Sequence, residues 1–179
     1  MIKYKHGDIV EALIKTTDID VCFHQANCFC NLGAGIAKQL AAVFPALVDV
    51  DDTTSVGDKN KLGTFTYAEF YQSHQFRIYN LYGQWAFRYG LIYKWIDGVK
   101  HQFTIPEEYD ENGLKPMTSL PHLRQAIEGM INHVCGVKHD LRFATVKIGA
   151  GRGGADWNSQ VYPMLEELFD GLDLTVYRF

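Results

Sequence analysis

No apolar run in this chain approaches the roughly 18 residues that a membrane-spanning helix needs, which excludes a helical transmembrane segment. The opening stretch Met1-Ile2-Lys3-Tyr4-Lys5-His6-Gly7 also lacks the apolar centre of a secretory signal. Together these absences predict a soluble, cytoplasmic protein. There is no long tract of Lys and Arg, and the net charge is −4. An extended nucleic-acid surface, which works through many phosphate contacts, is therefore not expected. Cysteine is scarce: Cys22, Cys28, Cys30 and Cys135. Cys28-Phe29-Cys30 lacks zinc-ligand spacing and no second Cys/His pair is placed to complete a site, so no metal is expected. The four read as reduced thiols, with Cys22 and Cys135 in apolar stretches that suit a core. Internal repeats and low-complexity segments are absent. So is the G-x-G-x-x-G fingerprint with an acid about 20 residues on, which argues against a dinucleotide-dependent oxidoreductase. No cofactor is implied.

What is present is an ordinary globular composition, 47% hydrophobic and 21% charged over 179 residues. That length suits one domain, 1–179, burying roughly 70% of its unfolded surface. Ile2 to Tyr4 reads as a first strand and Asp8 as the cap of a helix from Ile9 to Ile14. A buried strand, Ile19 to His24, precedes a helix from Gly35 to Phe44 that Pro45 stops. Leu47 to Asp51 suits one more turn, and polar Asp51 to Lys61 reads as a solvated loop. Gly63 to Phe70 and Phe76 to Tyr82 form a hairpin candidate. The aromatic-rich stretch 88–117 reads as an insertion, an added hairpin or lid with turns at Asp97-Gly98 and Glu111-Asn112-Gly113. Helical spacing over Leu120 to Val134, a strand from Leu141 to Ile148, a helix from Trp157 to Phe169 and a strand from Leu172 to Phe179 complete the chain. Strands alternating with helices predict an α/β fold, a three-layer α/β/α sandwich around a mixed sheet.

Two glycine-rich loops each follow a strand and lead to a helix. One runs from His24 through Asn27, Asn31 and Gly33-Ala34-Gly35-Ile36; the other is Gly149-Ala150-Gly151-Arg152-Gly153-Gly154. Glycine allows close backbone approach, and a helix start offers N–H groups and the positive end of its dipole. The two loops are expected to face each other across one cleft and clamp a diphosphate. Two unrelated tight turns are the plainer alternative.

The residues Lys5-His6-Gly7-Asp8-Ile9, His24 to Ala37, Asn80-Leu81-Tyr82-Gly83-Gln84, Ile148 to Trp157 and Leu174-Thr175-Val176-Tyr177 occur in an order that resembles the macro domain family. The resemblance covers nearly the whole chain outside about Arg88 to Met117. Within the family it is to the branch of the yeast-type ADP-ribose-1″-phosphate phosphatases and terminal ADP-ribose-protein glycohydrolases. It implies a hydrolase acting at the distal ribose C1″ of ADP-ribose or of an ADP-ribosylated macromolecule. A non-catalytic ADP-ribose reader is the alternative.

Carried residue by residue, the resemblance gives Asp8, with the Ile9 backbone, the adenine; a plain N-cap is the other reading of Asp8. Gly33, Ala34, Gly35 and Ile36 would hold one phosphate, and Gly149 to Gly154 the other phosphate and the distal ribose. Asn27 falls beside the distal ribose, although by itself it is a turn former. Asp156 is either the base near C1″ or the cap of the helix at Trp157. Gln84 and Asn27 remain as polar groups that could position water. The glycohydrolases' lysine has no counterpart in sequence near Tyr82 to Gln84, and Gly153 stands at the place of their loop aspartate, so a covalent lysine mechanism is not expected. His24 reads first as a buried, hydrogen-bonded histidine. Arg152 would neutralise ligand charge or face solvent. Trp85, Phe87 and Tyr89 would stack on adenine or simply pack.

Overall fold

A computed structural model describes residues 2–106, 117–136 and 140–178. The predicted turn at Glu111-Asn112-Gly113 lies outside them. The short first strand β1 (Lys3–His6) ends at Gly7, whose φ of 138° only glycine adopts freely. The helix α1 (Ile9–Lys15) follows, then β2 (Val21–Asn27), α2 (Gly35–Val43) and α3 (Ala46–Asp52). β3 (Phe65–Tyr71) and β4 (Gln75–Gln84) form the expected hairpin. After β5 (Gly90–Ile96) and β6 (Val99–Ile105) come α4 (Leu120–Cys135), β7 (Arg142–Thr145), α5 (Tyr162–Leu168) and β8 (Asp173–Arg178).

Six strands form one sheet in the order β1-β8-β7-β2-β4-β3. Every neighbouring pair is parallel except β3 with β4. The period-2 alternation of side chains sorts the sheet residues into two cores. Cys22, Ala26, Ile78 and Tyr82 point to one face, with Leu13 of α1, Leu40 of α2 and Leu47 of α3. Val21, Phe23, Tyr79 and Leu81 point to the other, with Ile127 and Met130 of α4 and Leu165 of α5. This is the three-layer α/β/α sandwich with a mixed sheet. Since the strands are mostly parallel, their carboxyl ends lie along one edge, and both glycine loops leave from that edge.

Several local expectations are corrected. Asp51 to Lys61 is solvated only between its ends: Asp52, Thr53, Ser55 and Asn60 are exposed, but Asp51 is 1% exposed and Lys61 7%, their side chains 3.8 Å apart. A charged stretch can turn inward when it carries its own counter-ion, which pattern alone does not reveal. The strand predicted to reach Ile148 stops at Thr145, because Ile148 N–H turns back to Val146 O at 2.7 Å. The helix from Trp157 opens with a π turn, Trp157–Val161. There Val161 N–H and Tyr162 N–H reach back five residues, to Asp156 O and Trp157 O, before α5 continues past Pro163. Cys135 is only half-buried, whereas Cys22 is buried and its thiol pushed up to about 12 by desolvation.

Within the 88–117 stretch, β5 and β6 form an antiparallel hairpin, turned at Asp97 (φ 51°) and Gly98 (φ 76°). Ile92, Phe103 and Ile105 anchor it on the first core, with Phe103 edge-on to Phe29 at 5.2 Å. Its outer face exposes Trp95.

Candidate ligand-binding site

Gly35 and Gly151 line the same cavity, of about 780 Å3, with Gly33, Ala34, Ile36, Gly149, Arg152 and Gly153 around them. The loops therefore do face each other, one following β2 and the other β7, which are neighbours in the sheet. Asn27 and Gln84 line the cavity as well, as do Gln25, Asn31, Phe87, Lys147, Tyr177 and Arg178. Asp8, Ile9, Ala150, Gly154 and Asp156 are not in its wall.

The start of α2 opens into this space. Its N-cap is Ala34, which has no side-chain acceptor to offer, and the first intrahelical bond is Lys38 N–H to Ala34 O. Among the described residues no acceptor pairs with the N–H groups of Gly35, Ile36 and Ala37. A helix start left this way is an anion site in waiting. Gly33 behaves differently from its expectation. Its N–H is already held by Asn31 Oδ1 at 2.9 Å, in the local turn that asparagine favours. Asn27 does likewise: its Nδ2 donates to Asn31 O (2.7 Å) and its Oδ1 accepts from Phe29 N–H (3.0 Å). Both asparagines shape the loop.

The second loop is held from behind. Thr118 Oγ1 lies 3.0 Å from Gly149 O and 3.1 Å from Gln25 Oε1, while Thr118 N–H donates to Gly153 O at 2.8 Å. Gln25 Nε2 also donates to Gln84 Oε1 at 3.2 Å. Gln25 and Thr118 thus join β2, β4 and the glycine loop into one wall. Sequence reasoning missed both, because a single Gln and a single Thr carry no motif.

The carboxylate of Asp156 accepts from Ser159 N–H and Ser159 Oγ, each at 2.7 Å, and these bonds lower its pKa. Asp8 accepts from Val10 N–H at 2.8 Å. Each performs the capping role that the sequence allowed. His24 is fully buried, its Nε2 bonded to Asn80 Oδ1 at 2.7 Å, and burial pushes its pKa down. Trp85 is buried and donates Nε1–H to Gly57 O, Phe87 reaches the cavity, and Tyr89 is exposed.

Charge in the cavity has one sign. Lys147, Arg152 and Arg178 line it, and no Asp or Glu does. Among the described residues none of the three cations is paired with a carboxylate. Folding also brings a lysine to Tyr82 that sequence distance hid: Lys61 Nζ sits 4.4 Å from the Tyr82 ring centroid. It lies beneath the first loop, bonded to Cys28 O and Cys30 Sγ, and is absent from the cavity wall. No group of three or more His, Cys, Asp or Glu side chains among the described residues is arranged to hold a metal.

A six-stranded mixed sheet between two helical layers, with two glycine loops opening on one cavity at the strand ends, is the macro domain fold. The macrodomain of Mycobacterium tuberculosis DarG superposes with a TM-score of 0.65 at 18% identity, over 100% of this chain and 98% of that one. Thermosipho africanus DarTG, solved in complex with ADP-ribose, superposes with a TM-score of 0.65 at 13% identity, over 98% of this chain and 41% of that one. No protein-family model matches the chain. A 17.5 kDa protein from the tk-vs intergenic region of Enterobacteria phage T4, itself uncharacterised, is 30% identical over 129 residues, 71% of this chain and 80% of the phage protein. The chain belongs to the family of that phage protein.

Proposed function

We propose that the protein binds ADP-ribose, free or attached to a macromolecule, with the pyrophosphate held between the start of α2 and the Gly149–Gly154 loop. The observation that carries this reading is the unpaired N–H cluster at Gly35, Ile36 and Ala37, facing a glycine loop across a cavity with no acidic lining. Gly35, Ile36, Gly151 and Arg152 would carry the phosphates. Ala34, Gly149, Ala150, Gly153 and Gly154 would set the loop shapes, with Gly33 held by Asn31. Asp8 and Ile9, which are not in the cavity wall, would meet the adenine.

Gly151 gives the cleanest test. A Cβ there meets nothing within 4 Å and its φ needs no glycine, so Gly151→Val projects only into open space. Melting should shift by less than the equivalent of about 0.5 kcal/mol. Calorimetric affinity for ADP-ribose should fall roughly tenfold or more, on the order of 1.4 kcal/mol. Unchanged affinity would remove the loop from the binding site and the reading with it.

A second reading adds hydrolysis at the distal ribose C1″, favoured by the paired amides Gln25 and Gln84 in the wall, which could position water. Asn27 would support the ribose through the loop it shapes, and Asp156 would contribute through the cap it forms. Phosphate release from ADP-ribose 1″-phosphate, lost in Gln84→Ala, is the expected signature. Binding without release marks a reader.

A further inference from the structure

Lys147 follows the end of β7 and Arg178 ends β8, the strand beside it. The register of β7 with β8 ends at Thr145 and Val176; beyond it Arg178 closes β8, while Lys147 sits in the turn after β7 with its Nζ 5.7 Å from the Trp157 ring. Both line the cavity, at the end away from Asn27 and Gln84 in the sheet order. Arg178 is fixed before any ligand arrives. Its guanidinium carbon lies 3.4 Å from the Tyr4 ring centroid, and Tyr4 in turn stacks on Tyr162 at 6.2 Å and 13°. Its Nε is buried with no hydrogen-bond partner among the described residues. A buried donor left open in this way calls for an explanation, and a stacked guanidinium is the side chain best shaped to grip a phosphate. Neither cation is needed for the pyrophosphate, which has backbone N–H groups and Arg152.

We propose that Lys147 and Arg178 form a subsite for a third anionic group, a phosphate ester on the adenosine ribose, so that the preferred ligand is an ADP-ribose phosphorylated at that sugar. This rests on the ADP-ribose reading above. It also uses the register of the sheet: Asp8, assigned to the adenine, follows β1, whose His6 is in register with Arg178. The adenosine half would then lie over β1, β8 and β7, beside the two cations. A stacked, preorganised arginine loses little freedom when it closes on phosphate, and a neighbouring lysine adds charge without demanding geometry.

Calorimetric titrations with ADP-ribose and with ADP-ribose 2′-phosphate at low salt test this directly. The 2′-phosphate should bind roughly tenfold tighter or better, an advantage that shrinks as salt is added. In Lys147→Gln and in Arg178→Gln the ratio of the two affinities should collapse toward one. Lys147 is exposed, so its variant keeps the test valid even if loss of the Arg178 stack harms folding. Competition by adenosine 2′,5′-bisphosphate against adenosine 3′,5′-bisphosphate then tells which hydroxyl carries the phosphate. Equal affinity for the two ADP-ribose ligands, or a preference that survives Lys147→Gln, overturns the subsite while leaving the ADP-ribose reading intact. Failure of both ligands to bind overturns the two together.

Discussion

A Cβ on Gly153 would stand 2.2 Å from Thr118 Oγ1 and 2.6 Å from Gly149 O, so the protein's own packing requires glycine there. Gly35 and Gly151, by contrast, meet nothing within 4 Å and face the cavity. Glycines that look alike in sequence thus answer to different neighbours. The buried charges tell a similar story. Asp51 accepts from Tyr82 Oη at 2.6 Å with Lys61 beside it, yet its Oδ2 has no partner among the described residues, and burial raises its pKa. Lys61→Met should destabilise the protein by about 3 kcal/mol, because it strands a buried carboxylate. The double variant Lys61→Met/Asp51→Asn should recover much of that loss, and urea unfolding of the four species measures the coupling. For His24 the sign runs the other way from a paired surface histidine. Its folded pKa is depressed, so the unfolded chain takes up a proton near pH 6.5 that the native ring refuses, and stability falls as pH drops through that range. The His24 ring resonance should stay fixed as the solution is acidified from pH 7.5 to about 6, and movement there would show the ring is charging.

At the level of elements, the strand ends of β2 and β4 are tied to the second glycine loop through one residue. Thr118 bridges Gln84, bonds Gly149 O and Gln25, and donates its backbone N–H to Gly153 O. Thr118→Val keeps the shape and removes the hydroxyl. We expect a stability loss of about 1–2 kcal/mol. Amide exchange over Gly149 to Gly154 should quicken and ADP-ribose binding should weaken, since a loosened loop must be ordered on binding. Exchange that stays at the wild-type rate would mean the loop holds itself.

Across the whole molecule, the sheet collects its strand ends on one edge, where the cavity gathers Lys147, Arg152 and Arg178 in a chain whose net charge is −4. A ligand that binds only this assembled state stabilises it by mass action, about 2.7 kcal/mol at one hundred times its dissociation constant. For a chain of this length that corresponds to a rise in melting temperature of roughly 5–10 °C. Scanning fluorimetry with ADP-ribose checks it, and a flat response at saturating concentration would contradict specific binding.

Hydrophobic periodicity by itself determined the order and kind of nearly every element, because a face that must be buried repeats every two residues in a strand and every three to four in a helix. The glycine loops and the caps at Asp8 and Asp156 were legible too, since each depends on neighbours within a few residues. Tertiary structure alone decided which capping carboxylates stay out of the cavity, that Lys61 folds inward onto Asp51, and that Gln25 and Thr118 form the wall behind the second loop. It also decided that Lys147 and Arg178 line one cavity, which needs the parallel pairing of β7 with β8. Local patterns record forces between near neighbours along the chain, whereas these contacts join segments whose separation carries no periodic trace.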